Sequence, residues 1–287
     1  MTTPVSGSDK ISDIETDLFL EALRRRYHYD FSAYARSSLV RRVEVARTRL
    51  GCDSISAMQA RVLREPELLH DVIDAMTVQV SDLFRDPGYY LALRQKVIPH
   101  LQTFPSLKVW VPGCANGEEL YSLAILFAEE GLLDRTMFYA TEINRRALSK
   151  ASAGIYETGR IPKFSENYRA AGGKTTLSDY YTAAYRGAAF HRHLRQRTLF
   201  SEHDLATDQV FSEMHLISCR NVLIYFDETL QNRVLGLFAD SLVRGGFLGL
   251  GSHETLRFSK IKPAFSAHDE GERIWRRTNI EKFENAQ

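Results

Sequence analysis

The sequence predicts an α/β protein: a doubly wound sheet with a small all-helical module in front of it. Three observations carry that prediction. From Asp13 to about Pro87 apolar residues recur at helical spacing and no strand pattern interrupts them. Beyond Pro87, short apolar runs typical of strands buried on both faces alternate with amphipathic stretches. One such run, in "VWVPGCANGEELYSLAI" (residues 109–125), ends in a glycine turn, and two acids then open a helix.

The whole chain sets broad limits. With 287 residues it can hold one large domain or two modest ones. A formal net charge of +1 offers no global field for nucleic acid or an anionic membrane surface. No apolar run approaches the length of a membrane span, and "MTTPVSGSDK" lacks an apolar signal core, so no membrane insertion is expected. Cys52, Cys114 and Cys219 are odd in number and without metal-like spacing. They read as small hydrophobes in a reducing compartment, which makes the cytoplasm the expected location. His191 and His193 form H-x-H without further ligands, and no metal is expected.

Residues 1–12 read as a flexible tail and 13–88 as the helical domain. Its first helix carries Ile14, Leu18 and Ala22 at four-residue steps, and Val43, Ala46 and Leu50 continue the pattern up to Gly51. Two shorter helices follow, with apolar sets Ile55, Met58, Val62 and then Leu69, Ile73, Met76. Arg24, Arg25 and Arg26, then Arg41, Arg42, Arg47 and Arg49, make the module locally basic. Such a run is either a solvated helix face or a docking surface for an acidic partner. Residues 89–287 form the second domain. Its strands are "KVWVP", "MFYATE", "MHLISC" and "FLGLG"; its helices are "EELYSLAILFAEEG", stopped by Gly131, and "DETLQNRVLGLFADSLVRGG", opened by Asp227 as N-cap and closed by Gly245-Gly246. The Tyr-, Gly-, Ser- and Arg-rich segment 156–193 is too long for a plain connection and is expected to carry structure of its own.

In an open parallel sheet, ligands sit beyond the carboxyl ends of the strands. Gly113 and Gly117 would let the backbone approach one there. Their G-x-x-x-G spacing matches neither dinucleotide nor nucleotide-phosphate loops, and no lysine follows. Glu118 and Glu119 put negative charge where a phosphate would want positive potential. Glu142, closing "YATE", arrives at the same edge as a ribose acceptor. A positively charged nucleoside satisfies both demands, and S-adenosylmethionine is the common one.

With these residues in hand, the chain resembles the chemotaxis-receptor protein-glutamate O-methyltransferases, the CheR family. "CRNVLIYFD" (219–227) matches the family signature almost residue for residue, and "TVQVSDLFRDP", "GCANGEELYSLAI" and "ASAGIY" match other blocks in the same order. The resemblance implies a Rossmann-like methyltransferase sheet with a small antiparallel β-subdomain inserted at about 157–195. It implies S-adenosylmethionine as cofactor, S-adenosylhomocysteine as product, and glutamates on cytoplasmic receptor helices as substrate. The cofactor contacts it implies are Gln79, Ser81, Arg85, Gly113, Glu119, Glu142, Asp204, Leu205, Arg220 and Asn221. Gln79, Glu142 and Asp204 depart from the family's usual Asn, Asp and Asn. Arg85 and Tyr225 are the residues it implies for catalysis. "GSHET" at Gly251 departs from the family pattern and receives no role.

A glutamate carboxylate is ionised at neutral pH, its ordinary pKa being about 4.3. Methyl transfer to it needs no general base, only alignment of the reacting atoms and exclusion of water. The alternative is a cofactor-binding regulatory protein with weak or no turnover, suggested by the three departures. Methylation of nucleic acid or a small molecule on the same sheet is a third reading, disfavoured by near-neutral charge and the lack of an N-P-P-Y-type motif.

Overall fold

The computed structural model describes residues 7–257 and 259–278. They divide into two compact units: the chain up to Val78 together with Tyr225–Leu230, and Gln79–Ile224 with the chain from Gln231 onward. Among the described residues no helix is long and apolar enough to cross a membrane.

The first unit is helical: α1 (Gly7–Tyr27), α2 (Arg36–Arg49), α3 (Ile55–Arg64) and α4 (Leu69–Met76). Of the expected tail, residues 1–6 lie outside the described residues, and α1 is already under way at Gly7. Ser54 caps α3 by accepting from the Ala57 N–H at 3.0 Å. The core holds Phe19, Leu23, Val43, Ala46, Met58, Val62, Val72, Ile73 and Met76, so three of the four apolar stripes face inward as expected. The stripe on α1 does not. Ile14 and Leu18 are 59% and 56% exposed, and Phe19, Leu20 and Leu23 are buried in their place. Two stripes compete on that helix, and the one with an aromatic ring removes more apolar area from water.

The arginines of this unit are mostly engaged within it. Arg24 and Arg25 both pair with Glu21, Arg47 with Glu44, and Arg49 lies near Asp71 and Asp74. Arg42 donates to the carbonyls of Ala75 and Thr77 and lies over the Tyr225 ring.

The second unit begins with α5 (Pro87–Ala92), which passes through a π-helical turn, Leu93–Val97, into α6 (Ile98–Leu101). The alternation follows: β1 (Leu107–Pro112), α7 (Glu118–Glu129), β2 (Thr136–Glu142), α8 (Arg145–Ala153). An insert comes next, with β3 (Ile155–Glu157), α9 (Ile161–Ala170), β4 (Tyr181–Ala184) and β5 (Gly187–Phe190). The chain closes with β6 (Thr198–Glu202), β7 (Met214–Cys219), α10 (Glu228–Ser241), β8 (Leu242–Leu250), β9 (Phe265–Asp269) and β10 (Ile274–Arg277).

The large sheet has the order β6-β2-β1-β7-β8-β10-β9. Its first five strands are parallel, and β9 and β10 add an antiparallel hairpin at one edge. From β1 the chain winds out through β2 to β6, then returns to β7 and winds the other way. The order therefore reverses between β1 and β7, directly behind the glycine turn. The insert forms its own antiparallel sheet, β3-β5-β4, as the resemblance implied.

One helix boundary differs from expectation. α10 stops at Ser241, and the stretch read as its last turn belongs to β8. Met214 pairs with Leu242 and Leu216 with Phe247, so β8 bulges out between them, where Gly245 takes φ +79°. The glycine pair marks a strand bulge, not a helix stop.

Candidate active site

Strand register brings the expected residues to one rim. Pro112 pairs with Thr141 and Cys219 with Leu250, so Gly113, Glu142, Arg220 and Gly251 leave the sheet at one level. Gly113 has φ +63°, and a Cβ there would come within 2.7 Å of the Val222 side chain. Gly117 stands ahead of α7 with φ +93°, and a Cβ would come within 2.9 Å of the Ala151 Cβ. Both positions need glycine. Phe84, Asp86, Ala115 and Asn221 also have positive φ, so backbone strain gathers around the strand ends and the loop that carries Arg85.

The two acids that open α7 part company. Glu118 is fully buried and pairs with Arg160 at 2.7 Å, so it is not the open negative charge the sequence suggested. Glu119 turns toward β7. Tyr89 lies 2.8 Å from Ser218, which donates to Glu119, and the Arg220 guanidinium stands 3.8 Å from the same carboxylate. Burial pushes the Glu119 carboxyl above its ordinary value, and Arg220 then Ser218 pull it back. Glu142 is buried as well, and its two oxygens accept from the backbone N–H groups of Ala115 (3.0 Å) and Asn144 (3.1 Å). Its carboxyl is also raised by burial, with these N–H groups and the Gln79 side chain opposing. Glu142 thus pins the turn.

The loop 79–86 carries Gln79, Ser81 and Arg85. The Gln79 carbonyl accepts from the Asn116 side chain at 2.8 Å, which ties this loop to the glycine turn. The Phe84 N–H donates to Ser122 at 2.7 Å. Arg85 makes no ion pair or side-chain hydrogen bond among the described residues, although its charge acts on Glu119. Arg220 is buried, pairs with Asp86 at 2.7 Å and lies 4.3 Å over the Tyr89 ring. After β6, Asp204 accepts from the Ala206 N–H at 2.8 Å, and the Leu205 carbonyl accepts from Arg233 at 2.6 Å. Tyr225 groups with the helical unit, where its carbonyl accepts from the Ala35 N–H at 2.9 Å.

One residue without a motif of its own, missed in the sequence, organises this rim. Glu254, 4% exposed, accepts from four backbone N–H groups: Gly251 (2.6 Å), Leu223 (2.7 Å), Val222 (2.8 Å) and Asn221 (3.0 Å). It holds the segment after β7 against the segment after β8. No local pattern in "GSHET" announces this, because three of the four donors lie more than thirty positions earlier in the chain. Cys114 and Cys219 beside the rim are buried free thiols, as is Cys52 in the helical unit.

The residues fit a cationic nucleoside. Three buried acceptor oxygens, Gln79 Oε1, Asn116 Oδ1 and Glu118 Oε2, have no hydrogen-bond donor among the described residues. They lie on the glycine turn, the first helical residue after it and the loop tied to it. Buried acceptors without donors are costly, so this arrangement suits a ligand rich in N–H and O–H groups. An ammonium head and ribose hydroxyls supply such donors, and Glu119 and Glu142 supply the opposite charge.

Comparisons with known proteins agree. Residues 79–270 match the family described as "CheR methyltransferase, SAM binding domain", and residues 14–77 match "CheR methyltransferase, all-alpha domain". A relative from Pseudomonas putida named "Putative methyltransferase Cher3" is 47% identical, covering 94% of this chain and 99% of its own. An uncharacterized 104.1 kDa protein of Rhodobacter capsulatus is 33% identical over 70% of this chain and 21% of its own length. A Listeria monocytogenes chemotaxis protein methyltransferase is 29% identical over 86% of this chain and 92% of its own. The chain belongs to the CheR methyltransferase family, and its cofactor is S-adenosylmethionine.

Proposed function

We propose that this protein methylates glutamate side chains on the cytoplasmic helices of chemoreceptors, acting in the cytoplasm as a protein-glutamate O-methyltransferase. The observation that carries the reading is Arg85. It is a guanidinium on the cofactor loop with no carboxylate partner among the described residues, while Glu119, the acid its charge reaches, has Arg220 as its nearby cation. A carboxylate arriving as substrate would complete the pair. The chemotaxis methyltransferase from Listeria supports the receptor assignment by its name.

Bound S-adenosylmethionine supplies an electrophilic methyl group on a positively charged sulfur. The chain's residues then have four tasks. Gln79, Ser81, Asp204, Leu205 and Asn221 hold the nucleoside's polar edges, and Gly113 keeps side chains out of its path. Glu119 and Glu142 offset its positive charge, Glu142 also serving the ribose. Arg85 orients the incoming carboxylate without gripping it tightly, since strong stabilisation of the free anion would slow its attack. Tyr225 is assigned a hydrogen bond near the reacting groups.

The test is transfer of a labelled methyl to receptor-bearing membranes from the same organism, using wild type, Arg85→Ala and Tyr225→Phe. Base-labile label on receptor is expected from wild type, with a loss of turnover in both variants much larger than any loss of cofactor affinity. Retained turnover in both variants rejects the catalytic roles of Arg85 and Tyr225, and absence of label with intact cofactor binding rejects the receptor reading. That last outcome favours a cofactor-binding regulator. The specific observation behind that second reading is that both Glu142 oxygens are already engaged by the backbone.

A further inference from the structure

Arg160 stands outside every motif that pointed to the site, in the single 3-10 turn Thr158–Arg160 between β3 and α9 of the insert. From there its guanidinium serves three acceptors on two other elements. It donates to Glu118 at 2.7 Å in the first turn of α7, to the Ser81 carbonyl, and to Asp82 at 3.0 Å on the cofactor loop. Its Cζ lies 4.6 Å over the Phe164 ring of α9, which fixes the fork from behind. Neighbours in the insert repeat the direction of these contacts. Asn167 donates to the Leu83 carbonyl at 3.0 Å, Tyr168 packs edge-on against Phe84, and the Tyr156 hydroxyl donates to the Asn116 carbonyl at 2.9 Å. Tyr156 in turn meets Phe190 of the antiparallel sheet edge-on.

We propose that Arg160 is a positioning residue for the methyl transfer: it locks the loop bearing Gln79, Ser81 and Arg85 onto the first turn of α7, and so makes cofactor affinity depend on the insert. A planar fork with donors in fixed directions, its two terminal nitrogens reaching different elements, suits this task better than the single point charge of a lysine. The inference deepens the functional reading above and rests on the loop 79–86 being the cofactor loop.

The test uses the full chain with Arg160→Ala, Arg160→Lys and the double variant Arg160→Ala/Glu118→Gln. Three measurements apply: calorimetric affinity for S-adenosylhomocysteine, hydrogen exchange of the amides in 79–86, and the split between cofactor KM and kcat. Arg160→Ala is expected to weaken affinity about ten-fold, speed exchange in 79–86, and raise KM more than it lowers kcat. The double variant removes the buried charge that Arg160→Ala leaves unpaired, so it regains melting temperature yet stays weak in affinity. Wild-type affinity in the double variant, or unchanged exchange in 79–86, overturns the proposal, because Arg160 would then only neutralise Glu118. If Arg160→Ala does not fold, Arg160→Lys decides: unchanged cofactor affinity overturns the proposal and a several-fold loss supports it. These readouts stand even if wild type binds cofactor and labels no receptor, which would overturn only the substrate assignment.

Discussion

Replacing Glu254 by alanine removes the acceptor for four backbone N–H groups at once. A buried donor left unsatisfied costs roughly 1–3 kcal/mol, so the four together could cost up to about 12. Two effects reduce that figure. Water can enter the space a glutamate vacates, and the wild-type carboxylate bears a burial penalty of its own, seen in its raised pKa. A net loss of about 4 kcal/mol, near the low end for each N–H, is the reasoned expectation. In a unit of about 200 residues each kcal/mol moves the melting temperature by roughly 2–4 °C, so the drop should be about 8–16 °C. Far-UV circular dichroism on heating and urea titration would measure it, with an unchanged urea slope confirming that the folded state stays compact. Glu254→Gln should fall between the two, since one carbonyl oxygen can accept two of the N–H groups while the amide NH2 faces the others. A drop under about 3 °C for the alanine variant would refute the view that this carboxylate clamps the rim.

Gly117→Ala should weaken both cofactor binding and stability, because the added Cβ would come within 3.0 Å of the Ala151 Cα at a φ of +93°. A melting temperature and affinity equal to wild type would contradict the close approach of α7 and α8. Arg220→Met should make stability more sensitive to pH. Burial already raises the Glu119 carboxyl, and losing its nearby cation raises it further. A carboxyl whose folded pKa lies above its unfolded value contributes stability that is full below the unfolded value, near 4.3, and is lost as pH rises through the folded value. Melting temperatures taken from pH 4.5 to 8 should therefore fall more steeply with pH in the variant, and parallel curves would reject the Glu119–Arg220 coupling.

Local patterning made much of this fold legible. β1, β2 and β7 announce themselves as apolar runs because both their faces are buried, and the glycine turn shows because its positive φ angles exclude most side chains. Asp227 was readable as an N-cap, and it accepts from the Leu230 N–H at 2.8 Å. Other elements were not readable. β6 is an edge strand with little buried surface, so its pattern is weak. The short strands β9 and β10 are held by pairing with distant β8 and with each other. On α1 two apolar stripes were equally periodic, and only the shape of the core chose Phe19 over Ile14.

The site divides along the same line. Residue types and spacing by themselves determined that acids would collect beyond the strand ends around a glycine turn, and hence that a cationic nucleoside was the fitting ligand. Only the tertiary structure decided which partner each acid meets, giving Glu118 to Arg160 and Glu119 to Ser218 and Arg220. It alone singled out Glu254, whose partners are mostly backbone groups far away in the chain. The physical reason is that a turn's chemistry lies within a few residues of itself, whereas the partner of a buried charge is set by how remote segments pack.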